Sequence, residues 1–246
     1  MSQQTLSDIL ISQARNQWYR CAESGRLRAA RKTWAPHERP LVSVLIPTLP
    51  ERWDVLRTRA LASLARQSYK NLQVIVIPDF PKKQHYPDEP KLHWLVGPSN
   101  ALNRGLAEVK GDYIVRIDDD DILRPHMIEK MLEFIQSDDF EFVSAAAKGP
   151  DGIIKPYHHP LVGSVQTWMY RSYLKCFKYN LDSWRKSWDC NNEIDLYKRM
   201  HQAGVRMGYL PCVVCDIKPR PGLSEIGSKG FINEYERMHN TSTRRE

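Results

Sequence analysis

Residues 112–121 read DYIVRIDDDD, a strand-like apolar segment that ends in four consecutive carboxylates. A helix is predicted to begin near Pro125. Like charges packed this closely repel one another, and a buried carboxylate is costly to remove from water. A divalent cation would offset that cost, because Mg2+ and Mn2+ prefer hard oxygen ligands. The alternative interpretation is a solvated acidic turn that partly caps the next helix.

The segments before this stretch alternate between strand and helix patterns. Short apolar runs rich in Val, Ile and Leu are typical of buried parallel strands, and two of them are closed by Pro47 and Pro78. Apolar residues spaced three and four apart lie between these runs, which is typical of helices. The alternation predicts an α/β fold with a Rossmann-like, doubly wound and mostly parallel sheet. The predicted strands are 42–46, 72–77, 92–96 and 112–117, and the predicted helices are 54–67 and 99–109.

Polar residues follow several of these predicted strands. Pro47 and Thr48 come at the end of the first strand, Asp79 follows the second, and the acidic run follows the fourth. In open α/β sheets, ligands bind beyond the carboxyl ends of the strands. We therefore expect these residues to lie together at one edge of the sheet.

The composition is that of a globular chain with many loops. It has 246 residues, 41% of them hydrophobic, and sixteen prolines, which suits one domain or one domain with extensions. Five scattered cysteines favour reduced thiols, and the lone CxxC at 212–215 makes a poor zinc site. No apolar stretch approaches the roughly 20 residues that span a bilayer, and the N-terminus does not resemble a signal peptide. We expect a cytoplasmic protein, with a peripheral position on a membrane or on nucleic acid as alternatives.

The positive charge is concentrated at the two ends. The net charge is +7, and residues 1–39 carry seven Lys and Arg against three Asp and Glu. Residues 218–246 carry six against four. A helix over 5–32 is predicted to pack on the domain with a solvated basic face. Such ends also suit an anionic partner: nucleic acid, an acidic membrane surface or a phosphorylated acceptor.

The second half of the chain is less regular. Residues 150–190 are rich in aromatic and basic side chains, a helix is predicted over 192–203, and a late strand is predicted near 205–210. Most of the aromatic residues are expected to be core or loop anchors. A subset could form a platform for a sugar ring or a nucleobase.

Four segments in this order resemble one known family. They read LVSVLIPT at 41–48, QSYKNL at 67–72 with Asp79 following, ALNRGL at 101–106 and KGDYIVRIDDDD at 110–121. The chain resembles a family-2 glycosyltransferase of the GT-A fold over about residues 41–217, most strongly up to about residue 136. The resemblance implies transfer of a sugar from a nucleotide-sugar donor, usually with inversion at the anomeric carbon.

The resemblance also implies a division of the chain. Residues 1–39 would be a basic helical extension and 218–246 a basic C-terminal extension. The GT-A glycosyltransferase domain would cover the residues between them, 40–217. Its nucleotide-sugar half would be 40–136, and its acceptor half 137–217.

The acidic run would carry the family's Asp-x-Asp element. Asp120 would coordinate Mn2+ or Mg2+, and Asp118 would contact the ion or the donor ribose. Asp119 is interpreted as a spacer, and Asp121 as support for the turn or the following helix. A carboxylate-held cation suits the chemistry, because the leaving diphosphate needs its developing charge neutralised.

The donor-binding residues are implied in the same way. Pro47 and Thr48 resemble residues that line the nucleobase pocket, and Asp79 matches an acid that reads a uracil edge. Asn103 and Arg104 lie where the family lines the donor site, although Arg104 could be an ordinary exposed helix residue. The family often has two acids where this chain has Pro78 and Asp79, and UDP is the preferred nucleotide.

The catalytic base departs from the family pattern. Asn192-Glu193 stands where the family usually has Glu-Asp, so Glu193 would replace the catalytic Asp. Asp195 and Asp189 are the alternatives, and these acids could instead cap the helix that begins near residue 192. Some family members add a late His to the metal site, a role that Asp216 or water could take here.

The sequence thus predicts a metal-dependent glycosyltransferase with a nucleotide-sugar donor, most consistent with UDP. The favoured acceptor is a glycan or a lipid-linked sugar. The alternative acceptor is a hydroxylated base in DNA, reached by flipping the nucleotide and bound through the basic extensions. An alternative of another class is a non-catalytic protein of the same fold that binds a nucleotide sugar or a partner.

Overall fold

The computed structural model describes residues 6–78, 92–94, 101–152, 154–155, 165–179 and 192–218. These residues form one mixed sheet with helices packed against it. The strands are β1 (Val42–Thr48), β2 (Leu72–Pro78), β3 (Leu92–Trp94), β4 (Tyr113–Arg116), β5 (Ile122–Leu123), β6 (Phe142–Lys148), β7 (Ile154–Lys155), β8 (Met169–Arg171) and β9 (Met207–Asp216). The α-helices are α1 (Leu6–Thr33), α2 (Trp53–Leu56), α3 (Ala62–Ala65), α4 (Ala101–Ala107), α5 (Met127–Ser137) and α6 (Asn192–Gln202), with a π-helical turn (Arg57–Leu61) joining α2 to α3.

The sheet has the order β3-β2-β1-β4-β8-β6-β9-β5, and β7 pairs with β6. Strands β1, β2, β3 and β4 run parallel to one another. Strand β8 is antiparallel to both β4 and β6, so β4 and β6 run in the same direction, and β9 is parallel to β6. The predicted Rossmann-like, mostly parallel sheet is confirmed. The carboxyl ends of β1, β2, β4, β6 and β9 therefore share one edge.

The central strands are buried because their sequences are continuous apolar runs. In β1, Val42, Val44, Leu45 and Ile46 are all fully buried, as expected for a strand covered on both faces. The predicted helices at 5–32 and 192–203 are observed with ends shifted by about one residue. The CxxC pair lies on β9, and Cys212 and Cys215 are free thiols.

A close approach at the start of β4 sets its register against β1. The backbone N–H of Gly111 donates to Ser43 Oγ at 2.9 Å. A Cβ atom at position 111 would lie 2.6 Å from the carbonyl oxygen of Leu41, which only glycine avoids. Asp112 completes the corner, since its Oδ2 accepts the N–H of Leu41 at 2.8 Å. The register places the acidic run just beyond the sheet edge.

Helix α1 is joined to the domain through buried ion pairs. Leu27 is fully buried in the core. Arg31 forms two hydrogen bonds with Glu141, at 2.6 and 2.5 Å, and Tyr173 donates to the same carboxylate. Although burial alone would raise the pKa of Glu141, the hydrogen bonds from Arg31, Arg206 and Tyr173 hold it below its usual range. The helix thus packs on the domain, as the sequence predicts, while the boundaries at 39 and 217 stay a prediction.

Replacing Glu141 with Gln should lower the free energy of unfolding by about 2–4 kcal/mol at pH 7, because a buried charge partner is lost. Because the folded pKa of Glu141 is depressed, its contribution is present above the unfolded pKa, near 4.5, and is lost as the pH falls through the folded pKa. Urea unfolding at pH 7 and pH 3 measures both effects. Glu133→Gln, at an exposed position on α5, is the control. Equal effects of the two substitutions at pH 7 would contradict this role of Glu141.

Candidate active site

The acidic run leaves the sheet at the carboxyl end of β4. Ile117 extends the pairing by one residue, since its N–H donates to the carbonyl of Leu45 at 3.1 Å. The chain then turns, and three of the four carboxylates are buried: Asp119, Asp120 and Asp121 are 5%, 2% and 2% exposed. The interpretation of the run as a solvated turn is therefore wrong for these three. Buried carboxylates require partners, and the partners define the site.

Asp119 is held by the segment that follows β1. Thr48 Oγ1 donates to its Oδ2 at 2.8 Å, and Arg52 donates from Nε and Nη2, at 2.9 Å to Oδ2 and 2.6 Å to Oδ1. The interpretation of Asp119 as a spacer is wrong, because its side chain joins the acidic run to the end of β1. A bidentate arginine also fixes the orientation of a carboxylate.

Asp120 shares the same arginine. Arg52 Nη2 donates to Asp120 Oδ2 at 2.8 Å, and Arg59 Nη1 donates to the carbonyl oxygen of Asp120 at 3.1 Å. Although burial lowers the pKa of the Arg52 guanidinium, its hydrogen bond to Asp119 more than offsets this, and the net shift is upward. Sequence analysis did not identify Arg52. The signal available in the sequence was the position of Arg52 shortly after the end of β1.

Arg116 connects the acidic run to α6. Its Nη2 donates to Asp118 Oδ1 at 3.0 Å, and its Nη1 donates to Glu193 Oε1 at 2.5 Å. Burial alone would lower the pKa of Arg116, but the charges of Asp118 and Glu193 keep it above its usual value. One buried cation therefore bridges the predicted donor side and the predicted base.

Asp121 is held from the second half of the chain. Gln166 Nε2 donates to Asp121 Oδ2 at 2.5 Å and to Asp118 Oδ2 at 2.7 Å. The N–H of Lys218 donates to Asp121 Oδ1 at 2.9 Å. Burial, reinforced by the charges of Asp118 and Asp120, raises the pKa of Asp121 to about 7. Asp121 thus supports the turn, as predicted, through partners that lie far away in sequence.

The charge balance at this edge suits a divalent cation. Three arginines, at positions 52, 59 and 116, face the four aspartates of the run and Glu193. The cluster stays negative even with Asp121 protonated. Within the part of the chain that the structure describes, no three Asp, Glu, His or Cys side chains converge as a complete metal site. Two carboxylates with substrate oxygens and water make a sufficient site for Mg2+. Asp118 and Asp120 therefore suit a divalent cation.

The predicted donor residues occupy the same edge. Pro47 and Thr48 are the last two residues of β1. Asn103 forms two hydrogen bonds with the backbone of Tyr179, at 2.9 and 2.8 Å, and so ties α4 to the segment after β8. Arg104 Nη2 donates to the carbonyl of Pro78 at the end of β2, at 3.3 Å. Asp79 lies outside the described residues. Contact of any of these residues with a nucleotide stays a prediction.

The structure describes the three candidate bases to different extents. Glu193 lies in the first turn of α6, and its side chain is 22% exposed. The side chain of Asp195 and the whole of Asp189 lie outside the described part of the chain. Asp216, the candidate late metal ligand, pairs with Arg124 at 3.1 Å.

Proteins of similar sequence are glycosyltransferases. Residues 91–200 match the family model for glycosyl transferase family 2. The match covers less than half of the chain and supports a family-2 glycosyltransferase. An uncharacterized glycosyltransferase of Haemophilus influenzae is 31% identical over 112 residues, which cover 41% of this chain and 34% of that protein. The putative colanic acid biosynthesis glycosyl transferase WcaA of Escherichia coli is 29% identical over 107 residues, or 38% of this chain and 37% of WcaA.

Solved structures agree on the fold. Staphylococcus aureus TarS 1–349 in complex with UDP-GlcNAc has a TM-score of 0.55 at 18% identity, over 74% of this chain and 59% of TarS 1–349. The mannosyltransferase PcManGT of Pyrobaculum calidifontis, in complex with GDP-Man and Mn2+, also has a TM-score of 0.55 at 18% identity, over 87% of this chain and 68% of PcManGT. The fold is of the GT-A type. The chain spans about a third of the length of the curated relatives described above. No helix in the described ranges is long and apolar enough to cross a bilayer.

Arg52→Met should destabilise the protein by about 3 kcal/mol, because the buried carboxylates of Asp119 and Asp120 lose their shared cation. Arg57→Met is the matched control, because Arg57 is largely exposed and its ion pair with Asp54 is long, at 3.8 Å. Its effect on the free energy of unfolding should stay within about 0.5 kcal/mol. Urea unfolding measures both. Adding Asp119→Asn to Arg52→Met should recover part of the loss, which a double-mutant cycle reports as coupling. Additive effects would contradict the role of this pair.

Proposed function

We propose that this protein is a metal-dependent glycosyltransferase that transfers a sugar from a nucleotide-sugar donor to a hydroxyl acceptor, with inversion. The observation that carries the proposal is the Arg116 bridge, which joins Asp118 of the acidic run to Glu193 of α6. A donor-side carboxylate and a candidate base are thereby held within one hydrogen-bonded network at the carboxyl edge of the sheet. The match to the glycosyl transferase family 2 model and the GT-A fold support the same function.

Asp118 and Asp120 would hold Mn2+ or Mg2+. The bound cation would neutralise charge on the leaving diphosphate. Arg52 would release Asp120 Oδ2 if that oxygen were to bind the cation, and its two bonds to Asp119 would keep the loop in place. The Mn2+ that is bound in PcManGT supports this assignment. Asp216 stays an alternative further ligand.

Glu193 would act as the general base. Its carboxylate would take the proton of the acceptor hydroxyl as that oxygen attacks the anomeric carbon opposite the leaving diphosphate. Attack from that face inverts the anomeric configuration. Arg116 would orient the carboxylate through its 2.5 Å bond to Oε1. Asp195 and Asp189 are the alternative bases.

The donor would lie along the ends of β1, β2 and β4. Pro47, Thr48 and Asp79 would contact the nucleobase, and Asn103 and Arg104 would line the rest of the donor site. The hydrogen bond from Thr48 to Asp119 would couple nucleobase contacts to the acidic run. UDP is the proposed nucleotide, and the UDP-GlcNAc bound in TarS supports it.

A glycan or a lipid-linked sugar is the proposed acceptor. The similarity to WcaA, a putative colanic acid biosynthesis glycosyl transferase, supports a polysaccharide acceptor. No described contact favours the alternative acceptor, a hydroxylated base in DNA. The non-catalytic alternative predicts nucleotide binding without turnover, so a hydrolysis assay separates it from the enzyme.

UDP release from UDP-GlcNAc should require Mn2+ or Mg2+ and should fall below detection in Asp120→Ala, because the carboxylate that would hold the cation is lost. A coupled assay for free UDP measures it. Glu133→Gln should retain the wild-type rate. Metal-independent release, or full activity in Asp120→Ala, would contradict the metal assignment. UDP binding without turnover of any nucleotide sugar would support the binding protein instead.

Glu193→Gln should lower the turnover number roughly 100- to 10,000-fold, because the amide cannot accept the proton. Affinity for UDP should stay close to wild type, since the variant keeps an oxygen for Arg116. Donor hydrolysis and UDP titration measure the two quantities. Asp195→Asn and Asp189→Asn are the comparison variants. Retained activity in Glu193→Gln together with its loss in Asp195→Asn or Asp189→Asn would move the base to that residue.

A further inference from the structure

A cavity lies beside the acidic run, at the ends of β6 and β9. Its volume is about 340 Å³. The turn at 149–152 forms one wall, and four charged side chains complete the lining: Arg124, Lys148, Asp216 and Lys218. Its volume is at the lower end of the range for small-molecule sites, which is about 300–1,000 Å³.

The cavity shares the sheet edge with the candidate active site. Lys148 ends β6 and Asp216 ends β9, and both strands run in the same direction as β4. The N–H of Ile217 donates to the carbonyl of Lys148 at 2.8 Å, and the next N–H, of Lys218, donates to Asp121. One residue therefore links the cavity lining to the buried acidic run.

The cavity carries unbalanced positive charge. Arg124 pairs with Asp216 at 3.1 Å, so these two charges largely offset each other. Neither Lys148 nor Lys218 has an ion-pair partner for its ammonium group among the described residues. Two lysines beside one cavity repel each other, and an anion between them would relieve that repulsion.

We propose that this cavity binds a phosphate group of the acceptor substrate. The proposal rests on the proposed glycosyltransferase function and specifies its acceptor as a phosphorylated sugar or polyol. Two ammonium groups match the charge of a phosphate monoester, and lysine binds phosphate as a compact point charge. The volume accommodates the phosphate together with part of the unit that carries it.

The position of the cavity favours the acceptor over the donor. The donor diphosphate would lie at Asp118 and Asp120, where the proposed function places the cation. The cavity lies at the ends of β6 and β9, which β4 and β8 separate from β1 and β2 in the sheet order. An anion bound there would therefore lie beside the proposed donor site.

Binding of inorganic phosphate to the full chain, without donor or divalent metal, tests the site. Isothermal titration calorimetry should show phosphate binding that weakens about tenfold or more in the double variant Lys148→Ala/Lys218→Ala, because two charged contacts to the phosphate are lost. The matched control is Lys110→Ala/Lys130→Ala, which removes two exposed lysines elsewhere. Unchanged affinity in the first variant, or equal loss in both, would overturn the proposal. Acetate that binds as tightly as phosphate would overturn the choice of phosphate.

Glucose 6-phosphate and glucose extend the test to an acceptor-like molecule. The wild-type chain should prefer glucose 6-phosphate about tenfold or more, and the preference should disappear in Lys148→Ala/Lys218→Ala. No preference in the wild type would overturn the proposal. These binding measurements require no turnover, so their outcome is independent of whether the protein hydrolyses the donor in the presence of metal. Loss of hydrolysis would therefore refute the enzyme and not the anion site.

Discussion

Burial of neighbouring carboxylates is the constraint on which this structure depends. The chain places four aspartates in succession at the end of a fully buried strand, and three of them are removed from water. Unpaired, such charges would be costly to bury. Arg52 and Arg116 supply the main compensation, one from each side of the run. The two arginines also determine which segments come together at the edge of the sheet.

Arg52 ties the run to the end of β1, and Arg116 ties it to α6. The segment around Gln166 and the residue after β9 then close the remaining side through Asp121. Five separate segments thus meet at one cluster of charges. A residual negative charge persists after all these contacts, which is the condition that favours a cation. Next to Asp121 the sign of the charge reverses, because Lys148 and Lys218 line a cavity. The edge therefore presents a negative site and a positive site within a short distance of each other.

Much of the fold could be predicted from short apolar runs. β1, β2 and β4 were identifiable because Val, Ile and Leu follow one another without polar interruption, as strands buried on both faces require. The shared carboxyl edge of these strands could be predicted because alternating strand and helix patterns are typical of a parallel sheet. The insertion of antiparallel β8 between β4 and β6 was not predicted, because three residues carry no strand signal of their own. Helix α1 is held to the domain by Arg31 and Glu141, which are 110 residues apart. The spacing of apolar residues within a helix cannot predict such a distant pair.

The site could be predicted in outline only. Aspartates at a strand end point to a cation, and the family pattern implies roles for Asp118 and Asp120. The buried role of Asp119 was missed, because its partner Arg52 lies 67 residues earlier. Gln166 was missed for the same reason, since an isolated glutamine carries no sequence signal.

The central claim is that Asp118 and Asp120 hold the cation while Glu193 faces the reacting carbon. A crystal structure with Mn2+ and an unreactive UDP-sugar analogue, with anomalous scattering from manganese, tests it most directly. The account predicts an anomalous peak within ligand distance of Asp120 and of the diphosphate, with Glu193 opposite the leaving group. A peak elsewhere, or a Glu193 side chain turned away from the anomeric carbon, would contradict it.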